Sequence, residues 1–193
     1  MPDGDDADEE KLRIDEIHDI PERGFRVRNA TAQDIPSIAR VHVDSWHQHY
    51  RGLLDDRLID ERTIEVRIAV WNKAFDDTER LTYVAEGAGG RLLGFASAHI
   101  LTPGQKRFDS YLQQLYLLSD AKGRGIGRAL LRVLAAALIR QNCESMALRV
   151  LRQNPAHAFY ERLGARPVPE GIENDEGLFN DVVYAFDDLK ALL

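Results

Sequence analysis

One cysteine, Cys143, stands in 193 residues. That excludes an internal disulfide and any metal or iron–sulfur site built on several cysteines, and it suits a reducing compartment. No stretch approaches the roughly 20 apolar residues that a bilayer-crossing helix needs, so no membrane association is expected. The first residues lack the basic and apolar pattern of a secretory signal and the acid-poor pattern of a transit peptide, so a cytoplasmic location is expected. A basic excess is also missing, which argues against a broad nucleic-acid surface. No repeat recurs along the chain.

The charge that is present is uneven. Residues 1–23 carry ten acidic and three basic side chains and hold the whole net charge of -7, while the rest balances at 22 of each sign. The reading is therefore an acidic, flexible extension over 1–23, with a short helix over 11–20 as one option, and one domain over 24–193. Apolar residues make up 44%, enough for a packed core.

Phe25-Arg26-Val27-Arg28 alternates and reads as a first strand. Thr31 with Asp34 caps a helix carrying Ile35, Ile38, Ala39, His42, Val43 and Trp46, which stops near Gly52. Ile59 to Lys73 reads as one more amphipathic helix through Ile64, Ile68 and Trp71. Leu81–Glu86 and Leu92–Ile100 form a hairpin about Gly87-Ala88-Gly89-Gly90. Ser110–Leu118 is the next strand, Gly125–Gln141 a helix, Ser145–Leu151 a strand, Asn154–Leu163 a short helix and Phe179–Phe186 the last strand. The order β-α-α-β-β-β-α-β-α-β predicts a mixed α/β domain with helices on both faces of the sheet.

The informative segment is Leu112 to Leu131, in which a strand runs through glycines 123, 125 and 127 into a helix. Glycine accepts positive φ, and a helix N-terminus offers unpaired N–H groups, so such a turn seats phosphate. Lys122, Arg124 and Arg128 add positive charge. A Walker A loop is absent, and Arg128 stands where the third glycine of a dinucleotide fingerprint belongs. On these residues alone, a phosphate seat and a plain tight connection both remain open.

Lys122-Gly123-Arg124-Gly125-Ile126-Gly127-Arg128, following Leu115-Tyr116-Leu117, resembles the acetyl-CoA motif of the GNAT superfamily of N-acetyltransferases. Lys122 departs from the usual Gln or Arg. Asn154-Pro155-Ala156-His157-Ala158-Phe159-Tyr160, ending in Gly164-Ala165, resembles the later motif of that family. Arg26 to Asp34, Val41 to Trp46 and Tyr50 to Leu54 resemble one bacterial branch whose members mostly have no assigned acceptor. The resemblance spans about residues 25–187.

It implies a mostly antiparallel GNAT-like sheet of six or seven strands and transfer of acetyl from acetyl-CoA to a primary amine by direct attack. The pantetheine arm would enter between Ser110–Leu118 and Ser145–Leu151. It would meet the backbone of Leu115, Tyr116 and Leu117, while Lys122, Gly123, Arg124, Gly125, Ile126, Gly127 and Arg128 hold the pyrophosphate. Asn154 would bind the pantetheine and Tyr160 would protonate the leaving thiolate. Trp46, Tyr50 and Arg51 would border the acceptor, or, for the two aromatics, belong to the core.

Gln113 and Gln114 stand where many relatives carry a carboxylate, so the base candidates are Asp109, Glu86 and His99, or none. His42, His47 and His49 are not spaced as a metal set, and no metal is expected. Partners would be acetyl-CoA and a small or peptidic amine, with homodimerisation open. A non-catalytic acetyl-CoA sensor or interaction module, and a plain nucleotide-binding domain, are the alternatives.

Overall fold

The computed structural model describes residues 24–52, 55–102, 107–168 and 181–193. The expectation for the acidic extension over 1–23 therefore lies outside the described residues, as does the expected start of the last strand at Phe179.

The alternating segment forms strand β1 (Phe25–Asn29), with Phe25 and Val27 buried and Arg26 outward. Asp34 accepts from the Thr31 amide at 2.8 Å and opens a 3-10 turn over Ala32–Asp34. Helix α1 (Ile35–Tyr50) follows, with Pro36 in its first turn, where the missing amide costs nothing. It ends because Arg51 turns extended and Gly52 adopts φ +84°.

The second amphipathic stretch is divided. Asp55 caps a short α2 (Asp56–Asp60), and the Thr63 hydroxyl accepts from the Val66 amide to start α3 (Ile64–Phe75). A cap at Thr63 thus interrupts what the apolar spacing alone reads as one helix.

Strands β2 (Arg80–Gly87) and β3 (Leu92–Ile100) form the expected hairpin, joined through a 3-10 turn with Gly89 and Gly90 at positive φ. Then come β4 (Ser110–Leu117), α4 (Ile126–Arg140), β5 (Met146–Leu151), α5 (His157–Arg162), β6 (Arg166–Val168) and β7 (Asp181–Phe186). A 3-10 turn over Leu189–Leu192 closes the described chain.

The seven strands make one sheet in the order β1-β2-β3-β4-β5-β7-β6. Each neighbouring pair is antiparallel except β4 with β5. On one face α4 packs over Tyr83, Ala85, Ala96, Leu112, Leu148 and Val150. It is buried almost all round, because Leu189 and Leu192 join the same cluster and Ala135 lets neighbours approach closely. On the other face α1 and α3 cover Val84, Leu92 and Phe95. A separate cluster of Phe108, Ala147, Val168 and Ala185 lies toward β6 and β7. Among the described residues, no helix is long and apolar enough to cross a membrane.

Candidate active site between two parting strands

The parallel pair β4 and β5 is in register only over Ser110–Leu112 with Met146–Leu148. Beyond that point β4 runs on to Leu117 beside β3 alone, and β5 runs on to Leu151 beside β7 alone. The closed end is pinned. The Asp109 carboxylate accepts from the amides of Glu144 (2.9 Å) and Ser145 (3.0 Å) and from the Ser145 hydroxyl (2.8 Å). The Ser110 hydroxyl donates to the Ser145 carbonyl at 2.8 Å.

A cavity of about 570 Å³ occupies the open end, within the range of small-molecule sites. Its walls include Gln113 to Leu117 on one strand and Leu148 to Val150 on the other. Backbone groups on these facing edges have no strand partner to bond, so an extended polar ligand can take the place of one.

The glycine turn forms part of the cavity wall. Lys122, Gly123, Gly125, Ile126, Gly127 and Arg128 line it. Gly123 and Gly125 sit at φ +72° and +81°, a region that side-chain-bearing residues rarely adopt. Gly125 caps α4, so the first amides of α4 face outward without helical partners. These amides, the positive helix end and two cationic side chains together suit an oxyanion such as phosphate. Gly127 has a packing role as well: a Cβ there would stand 3.2 Å from the Phe159 ring, so the lack of one lets α4 approach α5.

Another part of the wall is tyrosine-rich. Tyr160 on α5 is 8% exposed and lines the cavity. Burial pushes its hydroxyl well above the usual tyrosine range, with smaller contributions from Tyr50 and Tyr111, so it stays protonated. Tyr50 reaches the same wall from the end of α1, which is stitched to β4 by the Ser45 hydroxyl donating to the Leu117 carbonyl at 3.0 Å. The Tyr50 hydroxyl lies near those of Tyr116 and the amide of Asn154, and burial raises both tyrosines. Asn154 itself accepts from the Ala156 amide at 3.0 Å, fixing the bend between β5 and α5.

Three of the expected site residues lie off the cavity wall. Arg51 is exposed and paired with Asp60 at 2.9 Å and Asp56 at 3.7 Å. Arg124 lies toward Gly24, where an added Cβ would stand 3.9 Å from its Nη2. Trp46 lies against Tyr50, ring centres 4.2 Å apart and planes tilted by 38°, and is not among the wall residues. The base candidates are engaged elsewhere. Glu86 pairs with Arg26 and Arg28, His99 with Asp77, and Asp109 with the clamp described above.

Sequence reading did not single out Leu148, Arg149, Val150, Phe159 and Arg162, which also line the cavity. Their signal was their place on the strand and helix flanking Asn154. Gln114 was read only as unable to take a proton. In the structure its Oε1 is buried without a hydrogen-bond partner. Among the described residues no group of three or more His, Cys, Asp or Glu could hold a metal ion.

The sequence and the fold have counterparts. The N-acetyltransferase YuaI of Bacillus subtilis (strain 168) is 32% identical over 172 residues, covering 86% of this chain and 95% of that one. PaiA N-acetyltransferase from Thermoplasma acidophilum, determined in complex with coenzyme A, superposes with a TM-score of 0.67 at 21% identity, covering 83% of this chain and 97% of that one. YncA from Salmonella typhimurium, determined with acetyl-CoA, gives 0.63 at 21% identity, covering 86% and 94%. Residues 37–165, which contain both parting strands and the glycine turn, match the Acetyltransferase (GNAT) family, and the chain belongs to that family.

Proposed function

We propose that this acetyltransferase moves the acetyl group of acetyl-CoA to a primary amine by direct attack within a ternary complex. The observation that carries the reading is the separation of β4 from β5 beyond Leu112, with the glycine turn and Tyr160 both on the wall of the cavity that opens there. Acetyl-CoA fits this donor set: backbone amides and two cations for the pyrophosphate, strand edges for the amide-bearing arm, and a protonated phenol for the sulfur. When bound, it supplies an activated thioester.

The protein's own groups do the rest. The amides of Gly123 to Arg128, with Lys122 and Arg128, hold the phosphates. A backbone N–H within Leu115 to Leu117 hydrogen-bonds the carbonyl oxygen as negative charge develops there. The Tyr160 hydroxyl donates its proton to the departing sulfur. Asn154 holds the chain bend that brings Tyr160 to the wall, and its side chain faces the arm. Glu86, His99 and Asp109 are engaged elsewhere, and His49 on the wall has its Nδ1 on the Ser45 carbonyl. In this reading the amine arrives already neutral and needs no dedicated base.

That engagement also favours a second reading, a non-catalytic acetyl-CoA-binding module. Incubating the full chain with acetyl-CoA and an amine panel, and following free CoA, separates the two. Amine-dependent CoA release supports the enzyme. Tight acetyl-CoA binding with no release from any amine class would sink it in favour of the module.

A further inference from the structure

At one point β4 carries one more residue than its partner β3. Ser97 faces Gln114 while Ala98 faces Leu112, so Gln113 is the extra residue of a β-bulge. The bulge falls just past Leu112, the last residue of β4 in register with β5. A slip of one residue exchanges the two faces of a strand. Leu112 packs into the α4 cluster, and unbroken alternation would send Gln114 to that face as well. Beyond the bulge Leu115 and Leu117 pack on the α4 side, and Tyr116 packs on the α1/α3 side. Gln114 stands two residues before Tyr116 in regular pairing, so it shares the α1/α3 face.

Gln114 is also a wall residue of the cavity, and its Oε1 is buried without a hydrogen-bond partner among the described residues. The polar group opposite is taken. The Ser97 hydroxyl shares a bond with the Thr82 hydroxyl at 3.0 Å and accepts from Arg80 at 3.4 Å. A polar wall group without a partner suits a donor that enters the cavity. Glutamine χ3 turns within a broad well, so the oxygen can swing to meet such a donor.

The wall is built from both faces of the sheet. The glycine turn leads into α4 on one face, and His49 and Tyr50 bring the end of α1 to the wall from the other. An arm lying between two strand edges makes its hydrogen bonds in the plane of the sheet. A molecule arriving from the α1 side meets instead the face that carries Gln114.

We infer that the Gln114 carboxamide holds the acceptor nitrogen. Its oxygen accepts one N–H, which leaves the nitrogen lone pair to face the thioester carbon. A carboxamide takes no proton at neutral pH, so the group orients the amine without acting as its base. This rests on the acetyltransferase reading and deepens it, since a nitrogen without hydrogen finds no partner at Gln114.

The test is calorimetric titration of the full chain, saturated with CoA, with tyramine, spermidine, L-lysine and alanylalanine, and with the same molecules trimethylated on one amine. The trimethyl form keeps the positive charge and loses every N–H at that nitrogen. At least one amine should bind more than about tenfold tighter than its trimethyl form. Gln114→Leu and the unbranched Gln114→Met should each bring that ratio toward one. Gln114→Glu, which keeps an oxygen in place, should retain it. CoA affinity should stay within about twofold in all three. No binding of any amine, a ratio near one in the unaltered chain, or a ratio that persists in both apolar variants overturns the inference. So does a loss of CoA affinity in an apolar variant that melts normally, which would assign Gln114 to the arm. Because the experiment reads binding, a chain that selects N–H yet never releases CoA would sink the enzyme reading alone. Amine-dependent CoA release beside a ratio indifferent to Gln114 would sink this inference alone.

Discussion

The carboxylate of Asp109 grips Ser145 twice, at its amide (3.0 Å) and its hydroxyl (2.8 Å), at the end of β4 and β5 opposite to the cavity. Two strands that part must be fastened somewhere, and this is the fastening. Burial works against the Asp109 charge, but bonds from Glu144 and Ser145 outweigh it and keep the carboxyl below its usual range. Asp109→Ala should cost about 2–3 kcal/mol, the scale of a lost charge-assisted hydrogen-bond set. Thermal denaturation should show this with a weaker CoA titration. An unchanged melting temperature would show that the clamp holds nothing.

Tyr160→Phe keeps the ring and removes the proton. Turnover should fall by roughly 10²-fold, a typical loss for a general acid, with CoA affinity within about twofold. Steady-state kinetics beside a binding titration checks both halves. Equal turnover in the variant would remove Tyr160 from the chemistry.

Gly94 and Gly127 offer a graded comparison. A Cβ at Gly94 would meet the Tyr116 carbonyl at 2.6 Å and the Leu117 side chain, so backbone must move. A Cβ at Gly127 would meet the edge of the Phe159 ring at 3.2 Å and the Leu117 side chain at 3.4 Å, both side-chain atoms that can shift. Gly94→Ala should destabilise by about 2–4 kcal/mol and Gly127→Ala by about 1 kcal/mol or less. Chemical denaturation of both would measure the difference, and the reverse order would contradict the packing argument.

Acid should loosen the β1–α1 junction. The Arg28 guanidinium beside Asp34 holds that carboxyl at about 2, below its ordinary 3.8, helped by bonds from Thr31. A depressed carboxyl stabilises the fold above the unfolded value and loses that contribution as pH falls through about 4 toward 2. Partial exposure limits the size to about 1–2 kcal/mol. Asp34→Asn should lower stability at neutral pH and flatten this acid limb, as denaturation at stepped pH would show.

The base candidates Glu86, His99 and Asp109 are engaged elsewhere, and His49, which lines the cavity, has its Nδ1 on the Ser45 carbonyl. With the amine losing its proton to solvent, log kcat/KM should rise with unit slope until the pKa of the acceptor amine. Substituting an amine of lower pKa should shift the bend by the same amount. A bend that stays fixed near neutral pH with every amine would point to a protein base instead.

Much of this arrangement was readable in the residues. The glycine turn, the helix that follows it and the succession of strands and helices along the chain follow from periodicity and backbone chemistry, while the mostly antiparallel arrangement of the sheet came from the family resemblance. Residues beyond the reach of such rules were harder. Thr63 divides a stretch whose apolar spacing never breaks. The β6 strand has three residues, one of them Pro167, too few for alternation to register. Arg51 and Arg124 sit beside motif positions but face away from the cavity, because a long exposed side chain follows its nearest partner, here Asp60 for Arg51.

The parting of β4 and β5 also has a thermodynamic side. Part of the strand-edge hydrogen bonding in this sheet is left for a visiting molecule to complete, so the stability of the chain is tied to that molecule's supply. At a free concentration 100 times its dissociation constant, a ligand that binds only the folded form adds about 2.7 kcal/mol. For a marginally stable domain that is a large share of the total. The resistance of this protein to heat and proteolysis should therefore track acyl-CoA abundance, making its lifetime in a cell a readout of metabolic state.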